Sequence, residues 1–208
     1  AGLPSLLGWV FKGGMMSTNS VLSRGVLADT LPQSVATNTA LIVGGAVLVG
    51  LLAQISMPLP FTPVPITGQT LGVLLVGASL GSWRGALSLA VYFFGGLAGL
   101  PWYAGHAHGF APATTGYLVG FIVAAAVAGD MSQRGFSRAW WRAIPVMLAS
   151  EVVIFALGVS WLKVDLGVNW STAVAYGLTP FWVGEIVKAS LAGLLMPASW
   201  RAVRRFTR

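Results

Sequence analysis

The sequence has 208 residues, of which 56% are hydrophobic and only 8% are charged. In soluble domains about a quarter of all residues are charged, so this composition excludes an ordinary soluble protein and a disordered one. The net charge of +7 is spread over short connecting segments and the C-terminal end. That spread argues against a basic face that binds nucleic acid. The composition therefore predicts an all-α integral membrane protein whose surroundings are a lipid bilayer.

Six apolar segments follow one another along the chain, and each is a candidate transmembrane helix. They cover residues 38–56, 69–81, 85–100, 115–131, 142–161 and 172–197. We therefore predict a six-helix transmembrane domain over 37–200, a cytoplasmic extension over 1–36 and a basic cytoplasmic tail over 201–208. Met15 or Met16 is the expected biological start, which would leave residues 1–14 outside the native chain.

The basic residues support this count and predict an orientation. With both termini in the cytoplasm, the inside segments hold ten of the 12 basic residues: Lys12, Arg24, Arg84, Arg134, Arg138, Arg142, Arg201, Arg204, Arg205 and Arg208. Only Lys163 falls in an outside loop, and Lys188 falls within the sixth span. This distribution follows the positive-inside rule and predicts an even number of spans with N-in, C-in topology.

The first span carries a face of small residues at helical spacing. Ala46, Gly50 and Ala53 lie at i, i+4 and i+7, so they fall on one side of the helix. Small residues allow helix backbones to approach closely in lipid. The face therefore packs either within the bundle or against another membrane subunit.

The first outside loop contains four prolines within the stretch MPLPFTPVPIT, residues 57–67. Proline fixes φ and removes an N–H donor, so the stretch is predicted to be extended and stiff rather than helical. Two interpretations remain open, a rigid connection and a lid over a pocket that opens to the outside.

The second outside loop, residues 99–117, combines glycines with four aromatic side chains. These aromatic residues either form an interfacial belt or line a site for a flat ligand. His106 and His108, the only histidines, have no neighbouring carboxylate or cysteine that would complete a metal site, so no metal is expected. They are interpreted as contacts to a polar ligand or as solvated residues.

Glu185 and Lys188 are charged residues within the predicted sixth span. Their i, i+3 spacing places them on one helix face, and each charge at mid-membrane costs about 2.5–3.5 kcal/mol. Pairing offsets only part of that cost, so the two form either a structural pair or a site for a polar ligand or ion. Glu151, midway along the fifth span, is a second buried carboxylate with no obvious partner in the sequence.

Two motifs of catalysis are missing from the sequence. It has no G-x-x-x-x-G-K-[ST] phosphate loop and no H-E-x-x-H. ATP hydrolysis is therefore excluded for this chain, and no enzyme is expected. An intramembrane enzyme that uses Glu151 or Glu185 would need a nucleophile or metal set that the residues do not supply. A channel would need continuous polar lining on several spans, and the spans show little of it.

Residues 53–70, AQISMPLPFTPVPITGQT, resemble the signature of the BioY biotin transporters, the substrate-binding (S) components of energy-coupling-factor (ECF) vitamin importers. The resemblance covers about residues 40–195. It continues through LLVGASLGSWRGALSL at 74–89, GLAGLP at 96–101, GYLVGF at 116–121, ALGVSWL at 156–162 and GEIVK at 184–188. It implies six helices, N-in, C-in topology and a biotin site near the outer face. The same fold hosts S components for other vitamins, which remain an alternative.

The resemblance also implies partners and site residues. The partners are a transmembrane coupling subunit, docked on the first span at Ala46 and Gly50, and two cytoplasmic ATPases. The family pattern G-D-x-x-K matches residues 184–188, with Glu185 in place of the usual Asp. Biotin is the transported ligand, no cofactor is expected, and the location is the cytoplasmic membrane. The predicted substrate-binding residues are Glu185, Lys188, Tyr117, Trp102, Phe61, Gln69, His106, Ala107, His108 and Thr114.

Overall fold

A computed structural model describes residues 25–206 as a helical bundle with one β-hairpin. Its helices are α1 Val35–Ala53, α2 Gln69–Leu80, α3 Ser82–Leu97, α4 Thr115–Gln133, α5 Trp140–Leu166, α6 Trp170–Gly177 and α7 Trp182–Phe206. The antiparallel strands β1 Ser56–Leu59 and β2 Thr62–Thr67 lie between α1 and α2. The proposed start at Met15 or Met16 lies outside the described residues, as do Lys12 and Arg24.

The helices agree in position with the six predicted apolar segments, except that the last segment is broken. Its place is taken by α6 and α7, which are bent by 53° at the break between them. Within residues 25–206, α1, α4 and α5 are long and apolar enough to cross a membrane, and α6 with α7 would make a fourth span if counted together. The shorter α2 is apolar but has only 12 residues. Six spans with N-in, C-in topology therefore stay a prediction.

Close helix contacts are made possible by glycine. The central helix α4 packs against α2, α3 and α5. A Cβ atom at Gly77 of α2 would lie 2.6 Å from the carbonyl oxygen of Ala125 in α4, so no larger residue fits there. The chain turns from α2 into α3 at Gly81, whose φ of 88° is unfavourable for residues with a side chain.

A buried arginine holds together the end of the bundle where α2 meets α3. The guanidinium of Arg84 donates to Asp29 Oδ1 and to Asn38 Oδ1, both at 2.9 Å. It also donates to Gln33 Oε1 at 2.5 Å. Arg84 therefore connects α3 to the start of α1 and to the segment that precedes it.

The residues just before α1 pack against the bundle. Val26 and Ala28 are buried, and Ser34 caps α1 by accepting a hydrogen bond from the Thr37 N–H at 3.1 Å. The described end of the predicted extension over 1–36 is therefore part of the folded unit. At the other terminus, α7 continues through the first residues of the predicted tail over 201–208.

We expect Arg84→Ala to lower the free energy of unfolding by about 3 kcal/mol, because Asp29 would keep a charge with no ion-pair partner. Thermal unfolding in detergent measures the change. The matched control is Arg134→Ala, which removes an arginine that is exposed and ion-paired with Asp130 at 2.9 Å. The control should change stability by less than about 1 kcal/mol. Equal effects of the two substitutions would contradict a special role for Arg84.

Candidate ligand-binding site

A largely apolar cavity lies between the hairpin, the second loop and helices α2, α4, α5 and α7. Its empty volume is about 560 Å³, part of which is open to solvent. Aromatic side chains form much of its wall: Tyr103, Tyr117, Phe121, Phe155 and Phe181. Its polar lining comes from Thr67, Gln69, Thr70, Thr114 and Glu185. A wall with a few convergent polar groups on an apolar surface is typical of a small-molecule site.

Glu185 of α7 is the charged group in this wall and is 6% exposed. Its Oε2 accepts a hydrogen bond from Thr70 Oγ1 at 2.5 Å, and its Oε1 accepts one from Lys188 Nζ at 2.5 Å. Lys188 reaches Glu185 from the next turn of α7 and also donates to the Thr67 carbonyl oxygen at 2.7 Å. The pair predicted from the i, i+3 spacing is therefore confirmed, and it ties α7 to α2 and β2.

Gln69 and Tyr117 are fixed by hydrogen bonds beside the cavity. Gln69 Nε2 donates to the Tyr92 hydroxyl at 2.7 Å, and Gln69 Oε1 accepts from Thr67 Oγ1 at 3.0 Å. The Tyr117 hydroxyl donates to the Gly177 carbonyl oxygen at 2.8 Å. Because each side chain is held by a partner, the wall keeps its shape without a ligand.

The proline-rich loop is extended, as predicted, and it folds back on itself as β1 and β2. Its prolines are tolerated because a two-stranded hairpin has a free edge on each strand. Val64 and Pro65 of β2 line the cavity. Thr62 Oγ1 donates to the Tyr176 carbonyl oxygen at 2.8 Å and so holds the hairpin against α6. The hairpin therefore forms one wall of the cavity.

The second loop is held in place by Gln54, which directly follows α1. Gln54 Nε2 donates to the carbonyl oxygens of Trp102 and Tyr103, at 3.2 and 3.3 Å, and Gln54 Oε1 accepts from the His106 N–H at 3.1 Å. Burial raises the pKa of Tyr103 to about 12, so its hydroxyl stays protonated and donates to the Phe93 carbonyl oxygen. The loop is therefore ordered at the edge of the cavity.

The structure brings only part of the predicted site together. Gln69, Thr114, Tyr117 and Glu185 line the cavity, and Lys188 contacts Glu185 from outside the wall.

The other predicted residues lie elsewhere. Trp102 packs on Tyr92 with the ring centroids 5.4 Å apart and does not line the cavity. Phe61 is 57% exposed at the hairpin turn. His106, Ala107 and His108 are also exposed and lie outside the wall.

Sequence reasoning did not single out Thr70 or Gln54 as residues near the site. Thr70 and Gln54 stand at the two ends of the stretch that carried the resemblance, and a polar residue there was a usable signal. Tyr103 lines the cavity, which agrees with the interpretation that the aromatic residues of the second loop line a site for a flat ligand.

The docking face predicted at Ala46 and Gly50 is wrong in its position on α1. Ala46 is fully buried, and Gly50 packs against Trp102. The face therefore packs inside the chain. A different row of small residues, Ala36, Ala40 and Gly44, is exposed on α1 at i, i+4 and i+8. Its spacing, A-x-x-x-A-x-x-x-G, was the signal that could have identified it.

Glu151 of α5 lies near the same carboxylate. It lines, together with Glu185, a second and more open groove among α5, α6 and α7. Within residues 25–206, no group of three or more His, Cys, Asp or Glu is placed to hold a metal ion.

Comparisons with known proteins identify relatives over most of the chain. The family model described as the BioY family matches residues 18–205. The protein named biotin transporter BioY in Rhizobium etli is 36% identical over 167 residues, which cover 76% of this chain and 88% of the relative. The biotin transporter BioY of Thermotoga maritima is 38% identical over 160 residues, with the same two coverages.

A solved structure has the same fold. The crystal structure of the S-component for biotin from an ECF-type ABC transporter superimposes with a TM-score of 0.73 at 21% identity. The superposition covers 82% of this chain and 95% of that one.

We expect Gln54→Leu to lower the free energy of unfolding by about 2 kcal/mol, because the carbonyl groups and the His106 N–H of the second loop lose their partner. Thermal unfolding measures the change. His108→Ala, an exposed substitution in the same loop, is the control and should change stability by less than about 0.5 kcal/mol. If Gln54→Leu is as stable as this control, Gln54 does not hold the loop.

Proposed function

The chain belongs to the BioY family, and we propose from this that it binds biotin and takes it up across the membrane as the S component of an ECF transporter. It is an integral membrane protein and not an enzyme. Biotin is the transported ligand in this proposal, and the cytoplasmic membrane is the proposed location.

One observation carries the proposal beyond the family: a buried carboxylate on the wall of an apolar cavity. The ureido group of biotin has two N–H donors, its bicycle is apolar and its valerate is anionic. Glu185 accepts from a ureido N–H in this proposal, and a charge-assisted hydrogen bond of this kind is strong in a dry cavity. Thr70 and Lys188 hold the carboxylate in position for that contact.

Lys188 is the proposed donor to biotin. Two of its ammonium protons are directed at Glu185 Oε1 and at the Thr67 carbonyl oxygen, so one donor remains. That donor serves the ureido oxygen or the valerate. Tyr117 and Phe155, whose ring centroids are 6.0 Å apart, pack the bicycle. Gln69 and Thr114 complete the proposed contacts.

Uptake needs energy that this chain does not supply, because it has no phosphate loop. We propose that separate ATPase subunits and a transmembrane coupling subunit provide it. The exposed row Ala36, Ala40 and Gly44 is the proposed docking surface for the coupling subunit. Small residues at this spacing let a partner helix approach closely, and apart from the adjoining backbone of α1 no described atom lies within 4 Å of a Cβ placed on Gly44.

Calorimetric titration of the detergent-solubilised chain with biotin tests the substrate. We expect one site with a nanomolar Kd, which corresponds to a binding free energy of about −12 kcal/mol. Glu185→Ala should weaken binding by about 2 kcal/mol, roughly 30-fold, because a buried donor loses its acceptor. Asp165→Ala removes an exposed carboxylate of α5 and should leave the Kd unchanged. An absence of binding by a folded parent chain would refute the substrate, and an unchanged Kd in Glu185→Ala would remove Glu185 from the site.

Ala40→Leu should reduce assembly with the coupling subunit and biotin uptake by about tenfold, because a larger side chain separates the two helices. Biotin binding by the isolated variant should equal that of the parent chain. Ala198→Leu, at an exposed alanine of α7, is the control for a larger side chain on the bundle surface. Co-purification and uptake assays measure the two effects. Full uptake by Ala40→Leu would contradict the proposed surface.

A further inference from the structure

Glu151 is a buried acid that the proposed binding contacts do not use. It lies on α5, its side chain is 4% exposed, and neither of its carboxyl oxygens has a hydrogen-bond donor within the described residues. Buried polar groups in native proteins nearly always have a partner. An acid buried in this way therefore needs an explanation.

Glu151 faces the carboxylate of the proposed biotin site. Both acids line the same groove, and the carboxyl group of Glu185 acts directly on that of Glu151. The charged groups that act on Glu151 are Glu185 and Lys188, both on α7, while α2 contributes the uncharged Thr70 hydroxyl that donates to Glu185. Each oxygen of Glu185 has a second lone pair free to accept a further donor.

Glu151, Glu185 and Lys188 form a charged cluster, whose charges do not balance if both acids are ionised. Two carboxylates would then share the single ammonium of Lys188. The surroundings are apolar, since Leu148, Phe155 and Trp182 line the groove beside the two acids. An uncompensated charge in such surroundings is costly, whereas one bound proton makes the cluster neutral and also supplies the missing donor.

We propose that Glu151 is a positioning residue that holds this proton and donates it in a hydrogen bond to Glu185, fixing the carboxylate that accepts from biotin. This inference rests on the proposed function. Glu151 does not touch biotin in this arrangement. It acts by giving Glu185 a third donor beside Thr70 and Lys188, from a helix that neither of them belongs to.

Two consequences distinguish this role from a structural one. A neutral side chain that can donate a hydrogen bond should keep biotin affinity when it takes the place of Glu151, whereas an apolar side chain of similar size should not. Biotin affinity should also fall as the pH rises, because loss of the proton leaves two like charges facing each other and displaces Glu185. The ureido group and the valerate of biotin do not change their charge over the same range.

The experiment compares the parent chain with Glu151→Gln and Glu151→Leu by calorimetric titration with biotin at several pH values. Near pH 7 we expect Glu151→Gln to bind within about threefold of the parent and Glu151→Leu about tenfold more weakly. Between about pH 6 and pH 10, the Kd of the parent should rise by about tenfold more than that of Glu151→Gln. Both chains carry Lys188, so the contribution of this side chain is common to both.

Two results would overturn the inference. One is an identical pH profile for the parent and Glu151→Gln, and the other is an equal affinity for Glu151→Gln and Glu151→Leu. A parent chain that binds no biotin would instead refute the proposed function. Infrared spectroscopy of the unmodified chain gives a readout that needs no folded variant, because the sequence has only five acidic residues. We expect a protonated carboxyl band near pH 7 that disappears at alkaline pH, and absence of the band contradicts the inference.

Discussion

The structure depends on one constraint, namely that polar groups buried among apolar helices must find partners. Glu185 shows how this constraint organises the cavity. Its two oxygens accept from Thr70 of α2 and from Lys188 of α7, while Lys188 also donates to the backbone of β2. Removing one member of such a buried ion pair is costly, since the charge of the other member is then left without compensation. One carboxylate therefore fixes two helices and the hairpin relative to each other.

Arg84 satisfies the same constraint elsewhere in the bundle. Its side chain is buried like that of Glu185, and it donates to three side chains from the segment before α1 and from α1 itself. Between the two polar centres the helices are held by close packing of small residues, as where Gly77 meets Ala125. In lipid, an apolar side chain gains little by exchanging lipid tails for another helix, so packing and hydrogen bonds decide which helices associate. The polar centres therefore fix which helices are neighbours, and the glycines fix how closely they approach.

The sequence was sufficient for the helical class, the positions of the main helices and the Glu185–Lys188 pair. Hydropathy and an i, i+3 spacing are local properties, and local patterns report them well. The position of Glu151 beside Glu185 and the hydrogen bonds of Gln54 to the second loop depend on contacts between segments far apart in sequence, which no local pattern contains. Ala46 and Gly50 show a different failure. Small residues indicate a close contact, but they do not indicate whether the contact lies inside the chain or outside it.

Helix α1 links the two surfaces on which the proposed function depends. Its outward row includes Ala40 and Gly44, and Gln54 at its end holds the second loop beside the cavity. The hairpin begins directly after this residue, at Ser56. Because a helix is stiff along its axis, a displacement of α1 by a bound partner moves Gln54 and the base of the hairpin together. The proposed docking surface on one side of α1 is therefore joined through Gln54 to the second loop at the edge of the cavity.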